Sequence, residues 1–291
     1  MNLDERISAL EKKLIELASP PQIIEHSEVV ISREICPEHG EYEQRRRIST
    51  AQAPIRLPVI PSRCPGCIRE ELIGLQAEKI NREELVRKNT TDRLLAELNV
   101  PERFSDCTLE NYEPVNADAK RALRVCQAYA SKWPQRLQNG GGLVMCGKPG
   151  TGKNHLALAI ARQVITQYQS PVVFTTALKI AREFKSTWSK NSARTEDDVI
   201  RHFTRPDLLI IDEVGVQFGT EAEKLIMFEV INTRYERMRP TILISNQSKE
   251  DLAAFIGERV IDRMNDGGGC TLAFTWGSYR SSQPGKSEAA N

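Results

Sequence analysis

At the start of the chain, hydrophobic positions fall at Leu3, Ile7, Leu10, Leu14 and Leu17, in alternating steps of four and three. That is the a/d spacing of a short coiled-coil seam. Two heptads are short for an independent coiled coil, so two arrangements remain open. The seam is completed by a partner surface, or the helix folds onto its own domain. The helix, expected over 1–20, ends at Pro20-Pro21. Residues 29–69 then read as short strands and turns, and 70–100 as a charged helical connector before Pro101.

From about residue 104 the pattern changes. Short apolar runs at 143–146, 172–176, 208–212, 241–245 and 271–275 alternate with helix-length stretches. Runs of this kind are parallel strands buried on both faces. A doubly wound α/β domain with a five-stranded parallel sheet is therefore expected over 104–281. The chain has no internal repeat, and the polar tail 282–291 reads as disordered.

Composition adds exclusions. Hydrophobic residues at 40% and charged residues at 27% describe an ordinary globular protein. No apolar run approaches the roughly 20 residues of a membrane-spanning helix. The N-terminus has no signal-peptide core, so no membrane and a cytoplasmic location are expected. A net charge of +1 does not announce a nucleic-acid binder, although a local basic surface stays open. Cys107, Cys126, Cys146 and Cys270, scattered among apolar neighbours, read as small buried hydrophobes. Cys36, Cys64 and Cys67 instead cluster near the start.

The candidate chemistry begins at Gly147-Lys148-Pro149-Gly150-Thr151-Gly152-Lys153-Asn154, followed by His155. The segment follows an expected strand and opens an expected helix. Glycines let such a loop wrap phosphates with its N–H groups, and Lys153 supplies a point charge for the β- and γ-phosphates of ATP. Asn154 stands where Ser or Thr normally offers Mg²⁺ a hydroxyl; an amide carbonyl is also a hard oxygen ligand. Further on, Leu208-Leu209-Ile210-Ile211 delivers Asp212 and Glu213 to the C-terminal end of a buried strand, where open α/β sheets bind ligands. Asp212 is expected to hold magnesium and Glu213 to orient the attacking water. Asn246, after the strand at 241–245, suits a γ-phosphate sensor or a helix cap. Arg259 and Arg263 lie one helical turn apart, with Glu258 and Asp262 as an acidic counterpart. They read either as surface ion pairs or, for Arg263, as an arginine finger reaching a neighbouring subunit's nucleotide. Arg280 is the candidate second sensor; the few residues after it leave no room for a full helical lid.

The series GKPGTGKNHLA, LLIIDEVGVQ, GERVIDRM and WGSYRS resembles the DnaC family of bacterial and phage helicase loaders, and Asn154 is shared with it. The resemblance covers Phe104 to about Arg280. It implies an AAA+ ATPase in which Lys153, Asp212, Glu213, Asn246, Arg263 and Arg280 take the roles just given. It also implies a partner, the DnaB-type replicative helicase, which the loader places on single-stranded DNA and leaves on ATP turnover. Self-association through the ATPase domain would accompany helicase binding. An IstB-type transposition helper, binding duplex DNA and a transposase, and a non-hydrolysing helicase inhibitor are the alternatives.

Two features lie outside that core. Cys36-Pro37-Glu38-His39-Gly40 and Cys64-Pro65-Gly66-Cys67 have the spacing of paired zinc knuckles. One His and three Cys complete a closed, structural Zn²⁺ site. Within 178–195, cations outnumber acids and surround Phe184 and Trp188. Read as a helix, this segment presents Lys185, Trp188 and Lys190 to single-stranded DNA, or else it is a solvated helix burying Phe184 and Trp188. The run Arg45-Arg46-Arg47 is a second basic feature, a further contact or simply solvated.

Overall fold

The computed structural model describes residues 1–54, 56, 58–215 and 221–279. The chain divides into two units, Met1–Lys88 and Asn89–Asn291.

In the first unit, α1 (Leu3–Ala18) starts with a capping box, in which Asn2 and Glu5 exchange side-chain and backbone bonds. A hairpin of β1 (Ser27–Cys36) and β2 (Gly40–Ser49) follows, paired from Ser27↔Ser49 to Cys36↔Gly40. Then comes α2 (Pro65–Glu97). Ile7 and Leu10 are buried with Ile68 and Leu75 of α2, and Leu3, Leu14, Leu17 and Leu72 pack around them. The seam at 3–17 is thus filled by the unit's own second helix. That helix starts at Pro65, inside the second cysteine pair, rather than at the expected residue 70; proline suits a first helical turn, whose N–H groups lack helical partners. The three arginines of β2 are tied in locally. Arg45 donates to the carbonyls of Glu16 and Ser19, Arg46 to Ser32 and Glu34, and Arg47 to Ser27 and the Gln22 carbonyl.

The second unit runs α3 (Ala117–Ser131), α4 (Trp133–Asn139), β3 (Leu143–Gly147), α5 (Lys153–Tyr168), β4 (Val172–Thr176) and α6 (Ala177–Ser186). It continues with α7 (Glu196–Thr204), β5 (Leu208–Asp212), α8 (Glu221–Glu236), β6 (Thr241–Ile244), α9 (Lys249–Ile256), α10 (Glu258–Asn265) and β7 (Cys270–Phe274). The sheet is parallel throughout, in the order β4-β5-β6-β3-β7. Successive strand residues feed opposite cores. Leu143, Met145, Leu208, Ile210, Ile242 and Ile244 join α3 and α5 on one face. Val144, Cys146, Leu209, Ile211 and Leu243 join α6 through α10 on the other. Each such Leu or Ile contributes about 1.5–3 kcal/mol of burial. This is the doubly wound layering that the continuous apolar runs demand.

The strands begin and end within a residue of expectation. β3 runs on to Gly147, β6 stops at Ile244, and β7 sits one residue early. Arg234 of α8 is fully buried yet donates to four carbonyls (Phe203, Pro206, Asp207 and Pro240) and to the Thr241 hydroxyl. It thereby fixes the entries to β5 and β6. Cys107, Cys126 and Cys146 are buried, and Cys270 is half-buried. Among the described residues no helix is long and apolar enough to cross a membrane. The tail 282–291 and Arg280 lie outside the described residues.

Candidate functional site

In the sheet order, β3 lies between β6 and β7, while the chain leaves it for β4 at the far edge. Strand order reverses here, and the crevice beyond the carboxyl ends of the strands is where such sheets take ligands. Gly147 ends β3 with φ 120°, and a side chain there would collide with the Phe274 backbone. Only glycine fits. The loop continues to Gly152 at φ 93°, directly before α5. Lys153 is 4% exposed, and its Nζ donates to the carbonyls of Gly147 (2.8 Å) and Lys148 (2.6 Å). Burial pushes its pKa down to about 8. The ammonium is held under the loop by these two carbonyls.

Asp212 closes β5. Its Oδ2 accepts from Asn154 Nδ2 at 2.6 Å and its Oδ1 from the Glu213 N–H at 2.7 Å, while burial raises its pKa. Asn154 therefore turns its amide nitrogen to Asp212, leaving Oδ1 as its oxygen for a cation. Glu213 is exposed at φ 59°, a left-handed conformation that costs a non-glycine residue roughly 1–3 kcal/mol. The end of β6 holds that turn. Val214 N–H donates to the Ile244 carbonyl at 3.0 Å, Ser245 Oγ to the Val214 carbonyl at 2.6 Å, and Gln247 Nε2 to the Gly215 carbonyl at 2.7 Å. The cap of α9 is Ser248, so Asn246 is free of the capping role.

These groups line one cleft of about 550 Å³, a volume that suits a nucleotide. Pro149 to His155, Asp212, Glu213 and Asn246 form one side, and Phe104, Cys107, Tyr112, Trp276 and Tyr279 contribute apolar and aromatic surface. His155 Nε2 pairs with the Thr108 carbonyl at 2.9 Å. Tyr112 and Tyr279, which bond the loop, and Ser245 and Gln247, which bond the turn after β5, escape a sequence reading, because no local spacing marks contacts made between distant segments.

Arg263 does not line this cleft. Its guanidinium lies over the rings of Phe228 (5.6 Å) and Tyr235 (5.4 Å) and donates to Asn232, all on α8. Among the described residues no ion pair joins Glu258 or Asp262 to Arg259 or Arg263.

In the first unit, the sulfurs of Cys36 and Cys67 lie 3.5 Å apart, and His39 Nδ1 is 3.6 Å and 3.5 Å from them. With Cys64, all ligand atoms fall within 4.8 Å of one another. A tetrahedron with Zn–S of about 2.3 Å and Zn–N of about 2.0 Å has edges of roughly 3.5–3.8 Å, so the four residues fit zinc. The hydrogen bond with His39 pulls the Cys36 thiol down to about 6, and Cys36 in turn pushes Cys67 up to about 11. Between these two the proton stays on Cys67, and a bound dication would favour the thiolate form of both. Glu70 Oε1 stands 3.3 Å from His39 Nε2, the carboxylate–histidine arrangement that orients a metal ligand. Gly66 is required by close approach, since a Cβ there would overlap the His39 ring.

The basic segment differs from expectation. Helix α6 stops at Ser186, so Trp188 and Lys190 lie on the turn that follows. Lys185 is paired with Glu223 of α8 at 2.7 Å, an anion distant in sequence that no local pattern reveals. Phe184 is buried, while Trp188 is 58% exposed and donates to Glu196 at 2.6 Å. Lys190 is exposed.

Comparison with known proteins gives a consistent picture. The family described as IstB-like ATP binding protein matches residues 72–265. The replicative helicase loader DnaC of Escherichia coli (strain K12) is 33% identical over 222 residues, covering 75% of this chain and 89% of its own. DnaC of Buchnera aphidicola subsp. Baizongia pistaciae is 34% identical over 216 residues, covering 72% and 86%. A crystal structure of the DnaC helicase loader superimposes with a TM-score of 0.54 at 21% identity, over 60% of this chain and 99% of its own. That last likeness concerns the fold.

Proposed function

We propose, for a chain that belongs to the IstB-like, DnaC-containing family of AAA+ ATP-binding proteins, the role of an ATP-controlled loader of the replicative ring helicase in DNA replication. The observation that carries this reading is the match to DnaC proteins across most of both chains.

In this reading the cleft takes ATP. The loop N–H groups and Lys153 hold phosphates, and Asp212 with Asn154 holds Mg²⁺. Glu213, turned outward by its strained backbone, orients the attacking water, and Asn246 touches the γ-phosphate. Arg263, standing away from its own cleft, reaches the nucleotide of an adjacent copy, so hydrolysis follows assembly. Arg280 senses nucleotide on its own chain. Cys36, His39, Cys64 and Cys67 hold a structural Zn²⁺ in the unit that meets the helicase. Single-stranded DNA contacts Trp188 and Lys190; Lys185 joins them only by leaving Glu223.

The test is a loading assay on closed single-stranded circles, where no free end lets a ring thread on. ATP-dependent transfer of helicase to the circle supports the reading. Transfer to duplex target DNA with a transposase instead supports the IstB-type helper, and a complex that never hydrolyses ATP supports an inhibitor.

A further inference from the structure

The phosphate loop is bracketed on two flanks. On one, Tyr112 lies against Gly152, whose added Cβ would stand 2.6 Å from the ring, and the tyrosine hydroxyl donates to the Thr151 carbonyl at 3.2 Å. On the other, Ser278 occupies the space a side chain at Gly150 would need, and the Tyr279 N–H donates to the Gly150 carbonyl at 2.9 Å. A side-chain bond joins the flanks: Tyr279 OH donates to Oε2 of Glu113, the neighbour of Tyr112, at 2.7 Å. The result is a closed collar around residues 150–152.

The collar bears on the loop's chemistry through peptide geometry. In a trans peptide unit the carbonyl and the following N–H point in opposite directions. Pinning the carbonyls of Gly150 and Thr151 outward therefore aims the N–H groups of Thr151 and Gly152 the other way, into the loop where phosphate is bound. Donors fixed in advance need no reorganisation when the anion arrives.

We propose that Glu113 and Tyr279 form a clasp that closes this collar and sets how long a nucleotide stays in the cleft. The inference rests on the reading of the cleft as a nucleotide site. Both side chains are exposed and line the cleft, so the clasp opens without disturbing the core. They are positioning residues, acting on phosphate through the loop. Tyr112 and the Tyr279 backbone hold the two flanks whether the clasp is open or shut; the side-chain bond couples them.

Stopped-flow dissociation of a fluorescent ADP analogue from the full chain tests this. Tyr279→Phe and Glu113→Ala should each raise the dissociation rate about three- to tenfold, the range for one net hydrogen bond. Association rate and melting temperature should hold. The double variant should exceed neither single, and Glu113→Gln, which keeps an acceptor oxygen, should stay near the parent. Unchanged rates in both singles, additive effects, or a parallel fall in melting temperature would overturn the clasp. Failure of the parent chain to bind the analogue would overturn the nucleotide reading, and the clasp with it.

Discussion

Asn154 donates its side-chain amide to Oδ2 of Asp212 at 2.6 Å, tying the first turn of α5 to the end of β5. The asparagine that stands in place of the usual hydroxyl residue thus orients the carboxylate proposed to hold magnesium. A hydrogen bond to a charged group is worth about 1.5–3 kcal/mol. Asn154→Ala should lower stability by about that amount in denaturant titration. Asn154→Asp, which sets two carboxylates in contact, should lower it further without Mg²⁺ and regain part of the loss when Mg²⁺ is added.

Lys153 should make nucleotide binding pH-dependent. Its pKa is lowered from 10.5 to about 8, so the empty cleft loses this proton as pH rises through about 8. Phosphates favour the charged form and restore it. Binding should therefore take up a proton above about pH 8, with affinity falling as pH climbs. Calorimetry in two buffers of different ionisation enthalpy reads that uptake directly. The unfolded chain holds this proton up to 10.5, so the lysine's unfavourable burial is relieved, and the empty protein gains stability, as pH rises from about 8.

The proposed zinc site should depend on Glu70 as well as on Cys36, His39, Cys64 and Cys67. Glu70→Ala removes the carboxylate that orients His39 and should weaken zinc binding about ten- to a hundredfold, measured by competition with a chromophoric chelator. Stripping the metal should loosen the first unit, read as new proteolytic cleavage between residues 20 and 70.

Arg263 separates structure from catalysis. Removing it should lower ATP hydrolysis in the assembled state by about a thousandfold while leaving nucleotide affinity nearly unchanged. Equal losses in both would make it a structural arginine, held by Asn232, Phe228 and Tyr235 for stability alone. Lysine should not rescue the activity, because an ammonium cannot keep the paired ring contacts and fork geometry.

Much of this was legible in the chain because the signals are local. The strands are continuous apolar runs, and β5 ends in the carboxylates that an apolar core expels. The Cys and His pairs sit at knuckle spacing, and the structure brings all four within 4.8 Å. What escaped reading depends on residues far apart in sequence. Lys185 looks like a free cation until α8 brings Glu223 beside it. The arginines of β2 look like a basic run until the hairpin and the end of α1 supply their acceptors. Helix α2 begins within a cysteine pair because Pro65 serves both the knuckle and the first helical turn. Tyr112 and Tyr279 resemble ordinary aromatics until each is found on a loop carbonyl.

A loader of this kind has to engage a ring helicase under ATP control. Native mass spectrometry of the chain mixed with its host's replicative helicase, with and without ATP, tests it most directly. The expected result is a defined loader–helicase complex whose stoichiometry responds to ATP, with one zinc retained on each loader chain. No complex under any nucleotide condition would contradict it.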